Sequence, residues 1–191
     1  MAGAMAAMEI QVYPANADLP DHLRWQIISI IRMEWYEAIG DYTGPAALPD
    51  ELHPCHVVGV EGDAIVSYTG VVRRDIEYAG QVFRTYGLSS VFTFPARRRR
   101  GFGTRVVQRA TARIREAGDT DIAVLFTAPD RQRFYERCGW EFMPATEFLI
   151  GDRTAPKRHD AVAMMLFVSA KGIRHRTAFE RARVYVGEEP W

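Results

Sequence analysis

Apolar residues recur at helical spacing in two long segments of the chain. The first segment covers residues 19–39, and Asp18 stands where it can cap a helix. The second covers residues 102–117 and stops at Gly118, a residue suited to the end of a helix. The apolar stripes consist of Leu23, Ile27, Ile30, Ile31 and Trp35 in the first segment and Val106, Val107, Ala110 and Ile114 in the second. The pattern therefore predicts two amphipathic helices.

Strand-like segments occupy much of the remaining sequence. Glu61-Gly62-Asp63 and Ala79-Gly80 are turn sequences that predict hairpins between neighbouring strands. Residues 122–127 are almost wholly apolar, which is typical of a buried central strand. Strands are predicted at 8–13, 56–60, 64–73, 76–78, 81–84, 88–94, 122–127 and 161–168.

Length and composition favour one globular domain. The 191 residues include 48% hydrophobic and 25% charged residues. The order of elements predicts a mixed α/β domain over residues 8–168, after a disordered leader at 1–7 and before a tail at 169–191 that packs on the domain or on a partner subunit.

Charge and hydropathy narrow the expected partners and location. The formal net charge is zero, and no apolar run approaches the roughly 18 residues of a membrane span, so neither nucleic acid nor membrane is an expected partner. Cys55 and Cys138 are too few for a disulfide framework or a structural zinc site. Without a signal-peptide pattern, a cytoplasmic protein is expected.

A basic loop with two glycines stands between the strand predicted at 88–94 and the helix predicted at 102–117. Glycines let backbone N–H groups approach an anion, and the first turn of a helix leaves such donors unpaired. Arginines add charge-assisted contacts. The loop consists of Arg98, Arg99, Arg100, Gly101, Phe102, Gly103 and Thr104, and it predicts a phosphate site.

A second motif follows the strand predicted at 122–127. A short helix is predicted from Asp130, as its cap, to about Arg137. In it, Tyr135 is either a core residue or a phenol that protonates a leaving group. Phe134 and Trp140 are most simply core residues, and Cys138 is more simply a packed thiol than a nucleophile. The helix and strand between the glycine loop and Tyr135 are expected to bring both to the same edge of a sheet.

Together the two motifs resemble the GNAT superfamily of acyl-CoA-dependent N-acyltransferases. The resemblance rests on Arg98-x-x-Gly101-x-Gly103 and on Phe134-Tyr135-x-x-x-Gly139-Trp140. It implies a mixed sheet of six or seven strands with about four helices, in which the fourth and fifth strands splay apart around acetyl-CoA. It also implies that Tyr135 protonates the departing coenzyme A.

The same resemblance assigns the coenzyme contacts. The backbone of Val91, Phe92 and Thr93 would pair with pantetheine as an added strand does. The loop from Arg98 to Thr104 would hold the diphosphate. Acetyl-CoA is then a co-substrate, with no metal required.

The chain is also similar to the aminoglycoside 2'-N-acetyltransferases within that superfamily. Gly40-Asp41-Tyr42-Thr43, His159-Asp160 and the final Trp191 match features of those enzymes. The similarity implies that Asp41, Asp160 and the Trp191 carboxylate bind an amino sugar. Where those enzymes carry a glutamate on the fourth strand, this chain has Ser89, beside Ser90, so these serines are assigned to the substrate side through ordered water.

The residues leave several alternatives open. The general base could be Asp41, Asp160, the Trp191 carboxylate or water at the two serines. The acceptor could be a small-molecule amine, an aminoglycoside among them, or a peptide or protein amine. A non-catalytic acyl-CoA sensor and a nucleic-acid-binding domain are competing functions, and a homodimer could form through the tail.

Two further residue groups carry competing interpretations. Trp35, Tyr36 and Tyr42 are either core residues or an aromatic wall for an amine. A metal site at His53 and His56 lacks a fourth ligand at a sensible spacing.

Overall fold

The computed structural model describes residues 7–39, 44–189 and 191. Within them lie five α-helices and ten strands. The helices are α1 (Asp21–Glu34), α2 (Tyr36–Ile39), α3 (Phe102–Glu116), α4 (Gln132–Arg137) and α5 (Ala170–Phe179). The strands are β1 (Glu9–Tyr13), β2 (Cys55–Glu61), β3 (Ala64–Tyr78), β4 (Gln81–Thr93), β5 (Ile122–Thr127), β6 (Glu141–Phe142), β7 (Glu147–Ile150), β8 (Lys157–Arg158), β9 (Val162–Phe167) and β10 (Arg183–Gly187).

Seven strands form a mixed sheet in the order β1-β2-β3-β4-β5-β9-β6. The β4–β5 pair is parallel, whereas β5–β9 and β6–β9 are antiparallel. A second sheet has the order β10-β7-β8. This architecture confirms the predicted mixed α/β fold, with a parallel pair at the fourth and fifth strands.

The chain divides into two compact units, each with its own core. One contains the described part of Met1–Val72 together with Ser89–Ala110. In it, α1 buries its apolar stripe, and Gly59 lies so close to Met8 and Val106 that a Cβ there would contact both side chains. The start of α3 is therefore packed tightly against this core.

The other unit contains Arg73–Leu88 and Thr111–Trp191. Its core draws on both sheets and on α5, whose Phe179 is fully buried. Asp121 fixes α5 here, because the Asp121 carbonyl accepts hydrogen bonds from the backbone N–H groups of Val168 and Ser169. The largest side chains in this core are Ile76, Phe83, Ile122, Met143, Phe148, Met165 and Phe179.

Three boundary predictions are corrected by the structure. The helix predicted over 19–39 is interrupted at Trp35, which has φ −128° and ends α1. Asp18 does not cap α1, because Pro20 occupies the N-cap position and makes no side-chain cap. Asp130 likewise lies in a 3₁₀ turn before α4 and is not its cap, since the N-cap residue is Arg131.

The strands of the central meander are longer than predicted. The segments predicted at 64–73 and 76–78 form one strand, β3, and those predicted at 81–84 and 88–94 form one strand, β4. Arg73 and Arg84 both pair with Asp119 at the surface, so these charged positions are compatible with continuous strands. Among the described helices, none combines the length and apolarity needed to cross a membrane.

A buried chain of polar groups surrounds His56. Its Nε2 lies 2.9 Å from the Asn16 Oδ1 atom, which can only accept, so Nε2 carries the proton. Its Nδ1 then accepts from the Tyr68 hydroxyl at 2.9 Å. Both ring nitrogens are thus occupied by protein groups, and burial lowers the pKa of His56 to about 4. This geometry satisfies a neutral imidazole and leaves no lone pair for a metal.

We expect acid to destabilise the protein through His56. The unfolded chain binds a proton near pH 6.5, whereas the folded chain resists protonation down to about pH 4, so stability falls as the pH drops between these values. The free energy of unfolding should decrease by about 1.5 kcal/mol from pH 6.5 to pH 5. Urea unfolding at both pH values measures the decrease.

Two variants isolate this contribution from that of the carboxylates. His56→Asn should be less stable than the wild type at neutral pH. Its free energy of unfolding should, however, change much less between pH 6.5 and pH 5. His53→Asn changes an exposed histidine with φ +46°, a conformation that asparagine tolerates. This variant should retain the full decrease in the free energy of unfolding between pH 6.5 and pH 5. An unchanged pH dependence in His56→Asn would refute this assignment.

Candidate functional site

The basic glycine loop lies between the end of β4 and the start of α3. A 3₁₀ turn over Pro95–Arg97 follows β4, and α3 begins at Phe102. Arg99 and Gly101 have left-handed backbones, with φ values of +62° and +78°. Arginine adopts this conformation only at an energetic cost, so the loop is held in a specific shape.

Backbone donors and open space coincide at Gly101. The Arg105 N–H donates to the Gly101 carbonyl at 3.0 Å, so the N–H groups of Phe102, Gly103 and Thr104 precede the hydrogen-bonded turns of α3. A Cβ built at Gly101 meets no atom of the described residues within 4 Å. Helix-start donors without an intrahelical partner, at the positive end of the helix and beside such open space, are what an anion requires.

The arginines before Gly101 are arranged by three different contacts. Arg97 Nε donates to Glu61 Oε2 at 2.7 Å, and Arg98 Nε donates to the Thr93 carbonyl at 3.0 Å. The Arg100 guanidinium stacks on the Phe102 ring, 4.8 Å from its centroid. Arg99 is exposed. The loop thus presents positive charge on ordered side chains.

The last part of β4 holds the serines assigned to the substrate side. Ser89 is buried and its Oγ lies 3.2 Å from the Ser90 Oγ. Ser90 has φ +52°, which is unusual inside a strand and changes the direction of the groups that follow. The Phe92 carbonyl accepts from the Ser67 hydroxyl at 2.9 Å, so part of the backbone assigned to pantetheine already has a partner.

The parallel register of β4 and β5 is short. It runs from Thr85↔Ile122 to Gly87↔Val124, although β5 continues to Thr127. β5 therefore extends three residues beyond its last pair with β4.

Tyr135 lies on α4 and is 4% exposed. Burial raises the pKa of Tyr135 to about 12, while the nearby charge of Arg131 and a hydrogen bond with the Thr127 side chain act in the opposite direction. The phenol is therefore protonated at neutral pH and can donate a proton. Its neighbour Phe134 is half-buried, with the two rings 4.9 Å apart.

The other residues of this motif are structural. Trp140 is buried, and its indole N–H donates to the Thr111 hydroxyl at 3.0 Å, which confirms it as a core residue. Cys138 is also buried, and burial raises the pKa of its thiol. A buried, protonated thiol is a weak nucleophile, so the packed-thiol interpretation is confirmed.

Trp191 occupies a position that the sequence did not predict. Its indole N–H donates to the Val124 carbonyl at 3.3 Å, at the last residue of β5 that pairs with β4. A Cβ at Gly87 would overlap the indole. The Arg74 guanidinium lies 5.5 Å from the indole centroid and donates to the Val186 carbonyl at 2.7 Å. Sequence reasoning named the Trp191 carboxylate and missed the roles of Gly87 and Arg74.

The His159-Asp160 pair lies in the same unit. The His159 ring meets Phe126 edge-on with centroids 4.6 Å apart, and Phe126 lies 6.1 Å from Trp191. Burial lowers the pKa of His159, and Asp160 partly opposes this. Asp160 itself is exposed. The structure thus brings His159 and Trp191 to the same aromatic cluster.

The remaining substrate-side candidates are less informative. Asp41 and the matching segment Gly40-Asp41-Tyr42-Thr43 lie outside the described residues. Trp35 is half-buried and Tyr36 is exposed, so neither belongs fully to the core. The predicted site residues therefore fall into two sets, from Ser89 to Thr104 in one unit, and Tyr135, Asp160 and Trp191 in the other.

Comparison with known proteins identifies a family. Residues 40–143, more than half of the chain, match the family model described as "Acetyltransferase (GNAT) domain". In sequence, no curated protein matches the chain.

Solved structures share the fold at low identity. ElaA from Escherichia coli is 15% identical, with a TM-score of 0.59 over 83% of this chain and 99% of its own. An aminoglycoside 6'-N-acetyltransferase from Enterococcus faecium is 17% identical, with a TM-score of 0.57 over 85% and 98%. An aminoglycoside 6'-N-acetyltransferase complexed with coenzyme A is also 17% identical, with a TM-score of 0.57 over 83% and 97%.

Proposed function

Because the chain belongs to the GNAT acetyltransferase family, we propose that it transfers the acetyl group of acetyl-CoA to a primary amine of a small molecule. The observation that carries this proposal is the start of α3. There, N–H groups that precede the first helical hydrogen bond lie next to a left-handed Gly101, with open space at its Cβ position, and follow a run of arginines held by neighbouring residues.

In this proposal the loop from Arg98 to Thr104 binds the diphosphate of the coenzyme, and Val91, Phe92 and Thr93 align its pantetheine arm. An N–H of β4 near Val91 or Phe92 donates to the oxyanion that forms on the thioester carbonyl. The left-handed Ser90 supports this, because it redirects the backbone just before those residues.

Tyr135 completes the transfer as the general acid. The neutral amine attacks the thioester carbonyl, a C–N bond forms, and the C–S bond breaks. Tyr135 gives its proton to the departing thiolate and regains one from solvent, while the amine loses a proton to a base. Burial keeps the Tyr135 phenol protonated at neutral pH, which is the state in which a general acid acts.

For the acceptor we propose an aminoglycoside. Three exposed carboxylates, Asp160, Glu188 and Glu189, lie in the unit that holds Trp191, and they would favour a polycation. The resemblance at residues 40–43 also supports this acceptor. Transfer to the 2'-amine is the finer proposal from that resemblance. The aminoglycoside enzymes of similar fold described above are 6'-N-acetyltransferases.

An amine panel tests this function. The protein is incubated with acetyl-CoA and aminoglycosides, polyamines, amino acids or a peptide with a free N-terminus, while free thiol is followed. We expect thiol release with an aminoglycoside and one added acetyl group, located at a specific amine by NMR. Coenzyme binding without transfer to any amine would favour a sensor, and transfer to the peptide alone would overturn the small-molecule acceptor.

Gly101→Ala should weaken coenzyme binding. A Cβ at φ +78° costs about 1 kcal/mol of stability and fills the space assigned to the diphosphate. We expect the Kd for coenzyme A, measured by calorimetry, to rise about tenfold, which corresponds to about 1.4 kcal/mol.

Gly118→Ala is a matched control for this variant. Gly118 also has a left-handed backbone, with φ +76°, and no described atom lies within 4 Å of a Cβ built there. The Gly118→Ala variant has the same conformational cost but at the other end of α3. Its Kd for coenzyme A should therefore equal that of the wild type. Equal effects of the two substitutions would rule out the assigned diphosphate position.

A further inference from the structure

Glu61 is a buried acid beside the basic loop. It is the last residue of β2, and its side chain is 10% exposed. The sequence marks it only as part of the turn Glu61-Gly62-Asp63, where an acidic residue is ordinary. A carboxylate so far from solvent requires a reason, because burying a charge is costly unless it is paired.

The Glu61 carboxylate contacts both ends of the arginine run. Oε2 accepts from Arg97 Nε at 2.7 Å, and Oε1 lies 3.8 Å from Arg100 Nη1. Oε1 has almost no solvent-exposed area and accepts no hydrogen bond from the described residues. Oε2 is thus hydrogen-bonded to Arg97, whereas Oε1 attracts Arg100 without a hydrogen bond.

We propose that Glu61 is a positioning residue for coenzyme binding, holding Arg97 and Arg100 in the orientation that receives the coenzyme phosphates. This inference rests on the proposed function. Arg97 is held by a hydrogen bond to Glu61, whereas Arg100 is held by stacking on Phe102 and by charge, without a hydrogen bond to Glu61. Arg100 can therefore bind a phosphate oxygen without first breaking a hydrogen bond to Glu61.

The negative charge of Glu61 would by itself oppose an anionic ligand. Its ordering effect should be larger, because two long side chains lose their freedom before the coenzyme arrives rather than on binding. Without the charge, the two guanidinium groups repel each other and move towards solvent. A glutamine could still accept from Arg97, but its amide N–H₂ group would face the donors of Arg100.

Glu61→Gln is the central variant. We expect the KM for acetyl-CoA to rise about fivefold, with kcat and the KM for the amine unchanged, and the Kd for coenzyme A to rise equally. Acetyl-pantetheine provides a second acetyl donor that lacks the nucleotide diphosphate. Its kcat/KM should be the same in both proteins, because Glu61 acts only through the phosphates.

Two further variants complete the test. Glu61→Asp retains the charge and should recover part of the affinity. Glu77→Gln removes an exposed ion pair with Arg153 and should leave every constant unchanged. An unchanged Kd in Glu61→Gln, or an equal loss with acetyl-CoA and acetyl-pantetheine, overturns the positioning role. Failure of the wild-type protein to bind coenzyme A would instead overturn the proposed function.

Discussion

Replacing Tyr135 by phenylalanine is expected to lower kcat about a hundredfold or more, the usual contribution of a positioned general acid. The substitution removes one hydroxyl from a ring that is otherwise buried, so the fold and the Kd for coenzyme A should change little. Steady-state kinetics with saturating acetyl-CoA measures the loss.

The pH dependence of this loss is also predicted. Because burial raises the pKa of Tyr135 to about 12, the phenol keeps its proton throughout the neutral and mildly alkaline range. The ratio of wild-type to variant kcat should therefore be constant from about pH 6 to pH 9. A ratio that falls towards one as the pH rises would mean that another group supplies the proton.

Tyr185→Phe is the control for loss of a tyrosine hydroxyl. The Tyr185 hydroxyl donates to the Gly151 carbonyl at 2.8 Å, and it has no proposed role in the reaction. We expect a small loss of stability and an unchanged kcat. If the two phenylalanine variants had the same kcat, Tyr135 could not be the acid.

Gly172→Ala is expected to destabilise the protein by about 3 kcal/mol, in the range of severe overpacking. In an isolated helix alanine would be favoured over glycine by about 1 kcal/mol. In α5, however, a Cβ at Gly172 would overlap the backbone carbonyl oxygen of Asp121, which cannot move as a flexible side chain does.

The contacts of Asp121 explain why its carbonyl cannot easily move away from a Cβ at position 172. Its carboxylate accepts from the Ser169 hydroxyl at 2.7 Å and from the Arg84 backbone N–H at 3.1 Å. Ser169 also accepts from the Gly172 N–H at 3.0 Å and so caps α5. Burial alone would raise the pKa of Asp121, but hydrogen bonds from Ser169, Arg84 and Lys171 outweigh it and lower the pKa.

Urea unfolding measures the effect of Gly172→Ala. Thr177→Ala, at an exposed position of the same helix, is the control and should change the free energy of unfolding by less than about 0.5 kcal/mol. A Gly172→Ala variant as stable as the wild type would mean that α5 can move away from Asp121 at no cost.

The local pattern of apolar and polar residues was sufficient to predict α3 and β5. The stripe of Val106, Val107, Ala110 and Ile114 predicted α3, and all four side chains are fully buried. The apolar run at 122–127 predicted β5, whose bounds the structure confirms. These predictions succeeded because periodicity, flanking glycines and burial all favour the same conformation.

The same kind of pattern was insufficient to predict the elements near the C-terminal end. The last twenty residues could not be assigned from the sequence, yet they contain most of α5 and all of β10. Gly172 is unfavourable inside a helix in isolation. It is required here by the close approach of the Asp121 carbonyl, a group about fifty positions away in the chain.

By itself the sequence determined the family motifs, the basic and glycine-containing character of the loop and the order of most elements, because these depend on residues close together in the chain. Only the tertiary structure decided that Glu61 lies beside Arg97 and Arg100, and that Trp191 fills the space left by Gly87. Those contacts join residues tens of positions apart, and side-chain packing and charge pairing across such distances have no periodicity along the chain.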